Sequence, residues 1–337
     1  MKQHYLFRLT FDTPVHFGAA EQGGTLEKIR ITAKSDTLLS AICTEAANIG
    51  GQEYIDRLIE LIQQDKLSVS DLLPYYYDEK KKNIEYYLPK PILMPAPLAH
   101  KNETFRQAKQ SSTERKKQKK MKYIRASEMK EYLAAIQTGR QYQATQRQFG
   151  APYIVTRVNN REQQPLPYYV GAYRFAKQTG LYFILSLQEP SDIEWLCTII
   201  DSLGYSGIGG KRTSGYGKFH LEEDHIELDE YGITEDDQTL WQMLSDTTSE
   251  QQMLISCLLP TQSDLNIVKQ GTYQLIKRSG FYTDTADSII KKRSSIYMID
   301  SGSCLPSRIS GTADILIDND EHPIWRSGKG LYVGLPI

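Results

Sequence analysis

Four cysteines in 337 residues, at positions 43, 197, 257 and 304, form no Cys-x-x-Cys pair and stand beside no histidine cluster. This argues against a zinc site or a disulfide framework and leaves the four as small buried hydrophobes. No apolar run approaches the roughly 20 residues that span a bilayer. A charged, apolar, small-residue signal pattern is missing at the N-terminus, so a cytoplasmic protein is expected. An excess of charge of one sign is missing too: 40 basic and 41 acidic residues leave a formal charge of −1. Sequence-independent coating of nucleic acid is disfavoured, and any polyanion site must be a local patch.

What the chain does have is the loop 206–217, Ser-Gly-Ile-Gly-Gly-Lys-Arg-Thr-Ser-Gly-Tyr-Gly, which follows an amphipathic helix. Its glycines, Gly207, Gly209, Gly210, Gly215 and Gly217, allow close backbone approach and positive φ, and Lys211 and Arg212 supply charge. The combination points to a phosphate-rich ligand. A nucleotide-triphosphate loop is excluded, because the spacing fails and Arg212 stands where that motif needs a hydroxyl. A dinucleotide fingerprint is excluded as well, since helix precedes and strand follows, the reverse of the required order. A plain surface turn with solvated cations is the other reading of the same residues.

A length of 337 residues suits two domains. The N-terminal run 5–11 alternates and reads as a strand ending in the turn at Pro14 to Gly18. Helical spacing of Leu38, Leu39, Ile42, Ala46 and Ile49 predicts a helix with Ser35 or Asp36 as N-cap and Gly50 and Gly51 as its stop, followed by a second helix over 53–64. Residues 86–93 read as extended, because Pro89 and Pro91 forbid a helix interior. The polar block from about 100 to 148, with its basic run 115–122 and a possible helix over 128–136, reads as part of an insertion that orders on binding. Strand-like runs at 168–175 and 180–187, a helix carrying Ile193, Leu196, Ile200 and Leu203, and a short strand at 219–221 complete a β-α-β-β-α-β order. The expected organisation is therefore α+β: a ferredoxin-like domain over 1–225 with a large basic insertion at about 100–165, an acidic linker over 226–251, and a smaller, degenerate ferredoxin-like domain over 252–337.

Several of these residues carry a family resemblance. Phe17 and Gly18, the run Ser35, Asp36, Thr37, Leu38, the stretch 87–91, and the pattern Gly207-x-Gly-Gly-Lys-Arg-x-Ser-Gly-Tyr-Gly resemble the RAMP superfamily of CRISPR systems. The runs 275–281, 291–293, 301–303 and 322–330 are similar to the fourth subunits of the type III-A Csm effector complex. The likeness extends nearly end to end. It implies two ferredoxin-like, RRM-like domains and a non-catalytic RNA-binding subunit at the foot of the complex. Such a subunit grips the 5′ repeat-derived handle of the CRISPR RNA and docks the large cyclase and nuclease subunit and the adjacent RAMP backbone subunit. Target RNA is met only indirectly, and no cofactor or metal is implied.

A single-stranded handle offers phosphates, 2′-hydroxyls and unstacked bases. Gly207, Gly209 and Gly210 are the expected close-approach positions, Lys211 and Arg212 the phosphate partners, and Thr213 and Ser214 the hydrogen-bonding partners, with Gly215 in the same loop. Tyr216 and Phe17 could stack on bases or pack in the core. His16, Phe17 and Gly18 form the second patch. Arg278 has two readings, an RNA contact or a salt bridge between domains. The enzymatic alternative is a metal-independent CRISPR-RNA-processing endoribonuclease using His16 as general acid or base, with Asp36 as a conceivable carboxylate. A scaffold without RNA contacts is the third.

Overall fold

The computed structural model describes residues 2–19, 25–94, 118–140, 142, 147–159, 165–283, 290–317 and 324–336, with Lys109, Ser112 and Lys116; for 281–283, 290–293, 314–317 and 324 it describes the backbone alone. In chain order the first elements are β1 (Gln3–Phe11), β2 (Phe17–Gly18), β3 (Ile29–Arg30), α1 (Ser35–Gln63), β4 (Leu67–Val69), β5 (Leu73–Asp78), β6 (Asn83–Pro89), β7 (Tyr123–Arg125) and α2 (Met129–Thr138). Then come β8 (Gly150–Asn159), β9 (Leu166–Phe175), β10 (Thr179–Leu187), α3 (Ile193–Ser206), β11 (Phe219–Leu221), β12 (Ile226–Leu228), α4 (Glu235–Ser245) and β13 (Gln252–Leu254). The chain closes with β14 (Leu275–Thr283), β15 (Ile290–Ile299), β16 (Cys304–Leu305), β17 (Ala313–Ile317), β18 (Ile324–Ser327) and β19 (Tyr332–Gly334).

The main sheet runs β11-β1-β10-β5-β6-β7, with β12 also paired to β1 and β4 to β10. Its β1 and β10 pair antiparallel from Gln3 opposite Leu187 to Leu9 opposite Leu181. Period-two side-chain alternation sends Tyr5, Phe7, Leu9, Leu181, Phe183 and Leu185 to one face, where they join Leu38, Leu39 and Ile42 of α1 and Leu196, Ile199 and Ile200 of α3. Phe7 stacks on Phe183 with ring centroids 4.9 Å apart. The other face, Leu6, Tyr182 and Ile184, packs with α2, α4 and the C-terminal residues Met253, Ile255, Val333 and Leu335. Covered on both sides, β10 is buried along all nine residues, which is why it reads as a nearly continuous apolar run.

Several expectations change at this level. The expected pair of helices over 35–64 is there, joined end to end as α1 across a kink at Gly51, whose φ of 59° and ψ of −145° break the helical geometry at the expected stop. Neither Ser35 nor Asp36 caps it: the N-cap is Lys34, which gives no side-chain cap bond, while the Ser35 hydroxyl accepts from the Cys257 amide at 2.9 Å. Residues 226–251, read as a linker, are built into the protein. There β12 extends the main sheet, and α4 opens with a reciprocal capping box between Thr234 and Asp237. Within the region read as an insertion, β7 pairs with β6 and α2 buries Met129, Tyr132 and Leu133. Residues 101–108 and most of 110–117 lie outside the described residues, as do Gly23, Gly24, His322 and Pro323. Adjacent in sequence, β9 and β10 do not pair; β9 leaves the sheet and forms a two-stranded ribbon with β8.

The C-terminal residues form mixed α+β structure with antiparallel pairing: a three-stranded sheet β16-β13-β19 and the hairpins β14-β15 and β17-β18. Asp236, wholly buried in the first turn of α4, ties this part to the main sheet. Its carboxylate accepts from the Tyr86 amide at 2.8 Å, the Ser127 amide at 3.0 Å and Arg125 Nε at 3.0 Å. Asp236→Ala removes the acceptor of two buried amides and the partner of a nearly buried guanidinium, so the chain should lose about 3–5 kcal/mol in denaturant unfolding. The Tyr86→Phe chain serves as a control, since the Tyr86 hydroxyl has no hydrogen-bond partner among the described residues.

His4 on β1 generates a second prediction. Burial, aided by Arg308 and Lys2, pulls its imidazole down to about 4. The unfolded chain binds a proton near the ordinary 6.5 that the folded chain refuses until about 4, so this contribution is complete above pH 6.5 and is lost as pH falls through that window. Wild-type stability should drop relative to His4→Gln by about 2–3 kcal/mol between pH 7 and pH 4, read from parallel denaturant titrations.

Candidate nucleic-acid interface

The glycine loop is set in place by its own amides. Gly207 N–H donates to Leu203 O at 2.7 Å and closes α3; Ile208 N–H donates to Gly217 O, Gly210 N–H to His16 O and Gly217 N–H to Pro14 O, each at 2.9 Å. A single 3-10 turn, Arg212–Ser214, forms the tip. The loop is thereby riveted to the turn that joins β1 to β2.

That arrangement gives several glycines a structural reason. A Cβ on Gly209, at φ 94°, would sit 2.9 Å from His16 O, and one on Gly210 would sit 2.7 Å from the His16 ring. On Gly217, at φ 78°, it would sit 2.0 Å from Ile208 O. The close approach these glycines permit in the folded chain is to its own backbone and to His16. By contrast Gly215, at φ 81°, faces open space. Gly217→Ala should therefore destabilise the chain by well over the ~1–2 kcal/mol expected from left-handed backbone strain alone at Gly215→Ala, a difference that thermal unfolding of the two variants measures.

The aromatic candidates divide. Phe17 is 5 % exposed and meets Phe11 edge-on at 6.5 Å between centroids, so it is a core residue. Tyr216 is 7 % exposed and lies under Arg157, whose guanidinium carbon is 5.4 Å from the ring centre. Arg157 also donates to Ser214 Oγ at 3.0 Å, and Lys211 Nζ stands 5.3 Å from the Tyr168 ring centre. The β8-β9 ribbon thus leans on the glycine loop through cation–π and hydroxyl contacts. Arg212, Thr213 and Ser214 are exposed at the tip, and Lys211 is half-buried.

His16 is 6 % exposed, with Nδ1 2.7 Å from Gly171 O. A carbonyl only accepts, so Nδ1 carries the proton and Nε2 is left as an acceptor. Asp36 lies in the first turn of α1 and faces Arg278 of β14. Arg278 donates to it through Nη2 at 2.7 Å and Nε at 3.0 Å and also reaches Thr37 Oγ1 at 2.7 Å. Between the two readings of Arg278, the salt bridge between chain halves is the one the geometry displays. Burial pushes the Asp36 carboxyl up to about 6 against the pull of Arg326, and burial followed by repulsion from Arg326 brings Arg278 down to about 10.

These pieces enclose one cleft of ≈ 430 Å³. Its walls are His16, Phe17 and Gly18, the segment after β3, the α1 face with Asp36, Thr37 and Ser40, Gly209, Gly210 and Arg212 of the loop, and Arg278, Ser279, Gly280 and Arg326 of the C-terminal hairpins. Five cations, Arg30, Lys34, Arg212, Arg278 and Arg326, line it against one carboxylate. Lys34 spends its charge inside the fold, on Asp71 at 2.8 Å and Asp300 at 2.5 Å. The remaining field selects an anion. The turn 16–18, Arg278 and three residues of the loop, Gly209, Gly210 and Arg212, meet here; Gly207, Lys211, Thr213, Ser214, Gly215 and Tyr216 are not in its lining, and Lys211, Ser214 and Tyr216 instead meet the ribbon. Sequence reading missed Arg30, Thr37, Ser40, Arg157 and Arg326, which no local pattern joins to the loop. Among the described residues no group of three or more His, Cys, Asp or Glu could hold a metal ion, and no helix is long and apolar enough to cross a membrane.

Comparison with known proteins adds a consistent set of similarities. The model of the CRISPR Csm4 C-terminal domain matches residues 247–335. The chain is 29 % identical over 336 residues to the CRISPR system Cms protein Csm4 of Mycobacterium tuberculosis, covering 98 % of this chain and 97 % of that one. To the protein of the same name from Streptococcus thermophilus it is 27 % identical, covering 98 % and 99 %. In fold it is similar to a chain of the Csm3-Csm4 subcomplex of the type III-A interference complex, with TM-score 0.61, 16 % identity and 99 % of both chains covered. It is also similar to a chain of the Csm1-Csm4 cassette crystallised with pppApA, with TM-score 0.59, 19 % identity, and 100 % and 99 % covered.

Proposed function

We propose that this chain, which carries a Csm4-type C-terminal domain and resembles Csm4 proteins along its whole length, is the RNA-gripping subunit at the foot of a type III-A CRISPR ribonucleoprotein. It binds the 5′ repeat-derived handle of the CRISPR RNA and docks the large cyclase and nuclease subunit and the adjacent backbone subunit. The observation that carries the RNA reading is the cleft itself: four arginines, Arg30, Arg212, Arg278 and Arg326, line it with one carboxylate, Asp36, and it is bordered by a glycine edge and by the exposed tip with Arg212. A single strand with a phosphate at every nucleotide fits such a lining.

Supporting the partner assignment, the solved relatives of matching fold come from assemblies of Csm4 with Csm1 and of Csm4 with Csm3. The strand order β11-β1-β10-β5, with α1 and α3 on one face, supports reading the N-terminal part as a ferredoxin-like β-α-β-β-α-β unit. We read the C-terminal part as its degenerate companion.

The chain binds and does not cut. His16 Nδ1 is committed to a backbone carbonyl and Asp36 to Arg278, so the residues a metal-independent nuclease would recruit already have structural partners. Incubated with repeat RNA, with or without Mg2+, the purified chain should leave it intact; site-specific cleavage lost in His16→Ala would establish the nuclease instead. In the binding direction, Lys211→Ala combined with Arg212→Ala should weaken handle RNA at least tenfold. It should also flatten the plot of log affinity against log salt by roughly 1.4, about 0.7 for each single-strand phosphate that is no longer neutralised.

A further inference from the structure

Arg326, on β18, is buried to 4 % exposure and lines the cleft, yet among the described residues its Nε and Nη1 have no hydrogen-bond partner. Among the described residues its acidic neighbour is Asp36, whose Oδ2 lies 4.0 Å from Nε, beyond hydrogen-bond length. The same carboxylate already takes Nε and Nη2 of Arg278. Two buried guanidiniums therefore share one carboxylate, and two donors of the second have no acceptor among the described residues. A buried charge left in that state is costly unless something pairs with it.

We propose that Arg326 is a phosphate-binding residue at the floor of the cleft, where its guanidinium donates to a nonbridging oxygen of one backbone phosphate of bound single-stranded RNA. Asp36 is the positioning residue: it holds Arg278 beside Arg326 and so keeps two guanidiniums facing the cleft. The bound phosphate supplies the missing anion and acceptors, with the planar fork of Arg matched to phosphate geometry. Gly209 and Gly210 of the loop line the same cleft. A phosphate group could also come from free inorganic phosphate; the size of the cleft, ≈ 430 Å³, and its further cation at the tip, Arg212, favour a strand running through. The inference rests on the RNA reading of this cleft and adds to it a residue that lies 114 positions from the loop's Arg212 in sequence.

The test compares the full chain with Arg326→Met, Arg326→Lys and the Lys211→Ala, Arg212→Ala chain by fluorescence anisotropy with labelled handle RNA at several salt concentrations. Thermal unfolding with and without inorganic phosphate at constant ionic strength runs alongside. Arg326→Met keeps the side-chain length, removes the unpaired charge, and should fold with equal or higher stability. It should lose about tenfold in RNA affinity, with the salt slope falling by roughly 0.7. Arg326→Lys should recover the slope but not the full affinity, because the fork is gone. Unchanged affinity and slope in Arg326→Met overturn the assignment; if the loop variant still weakens binding, the RNA reading survives that failure. Should the unsubstituted chain bind no RNA while phosphate raises its unfolding midpoint only when Arg326 is present, the RNA reading falls and the site belongs to free phosphate. Failure of both responses overturns both.

Discussion

The pairing of Asp36 with Arg278 organises the molecule around its cleft. One partner sits in the first turn of α1 and the other on β14, 242 residues later, and both side chains are nearly buried, at 7 % and 6 % exposure. A bidentate carboxylate–guanidinium pair withdrawn from water is held by geometry more than by net energy, because desolvation offsets most of the Coulomb gain. What it secures is position: the N-terminal end of α1 faces the C-terminal hairpins across a gap that the glycine loop closes from a third side. Asp71 does parallel work at the back of this junction, accepting from the Ser35 amide at 2.8 Å and from Ser301 Oγ at 2.6 Å.

Around that junction the energetics follow a simple layout. The main sheet is covered on both faces, by α1 and α3 on one side and by α2, α4 and the C-terminal strands on the other. Each fully buried aliphatic or aromatic side chain there contributes about 1.5–3 kcal/mol. A core of this extent carries the cost of the crowded charges in the cleft, and it leaves the glycine loop free to be shaped by hydrogen bonds and close contacts instead of apolar burial. Function and stability thus occupy different parts of the chain, with the Asp36–Arg278 pair at their boundary.

Much of the first half was legible in the sequence, and for physical reasons. Alternation in 5–11 and the apolar run 180–187 report a sheet covered on both faces, and the spacing of Leu196, Ile200 and Leu203 reports one helical stripe. Long-range pairings were not legible: β9 looks like the partner of β10 because they are adjacent, yet its side chains at Tyr169 and Leu166 are about half exposed, as suits a projecting ribbon. The acidic stretch 226–251 reads as a linker because its carboxylates suggest solvation, whereas Asp236 is buried as an acceptor for two amides. At the site, the loop and the 16–18 turn were found from sequence and do lie together. Their glycines are explained by contacts inside the fold, Gly209 and Gly210 against His16 and Gly217 against Ile208, and Phe17 is core. Arg326 could not have been singled out, since its importance lies in what surrounds it: a carboxylate already taken and a cleft otherwise cationic.

The central claim is that handle RNA runs through the cleft between the glycine loop and the C-terminal hairpins. Crosslinking the assembled ribonucleoprotein to CRISPR RNA carrying a photoreactive handle, followed by mapping of the joined peptides, tests it directly. Crosslinks at Lys211 and Arg212, joined by peptides containing Arg278 or Arg326, are the result predicted. Crosslinks confined to other surfaces, or a handle that labels only neighbouring subunits, would contradict the account and leave the chain as a scaffold.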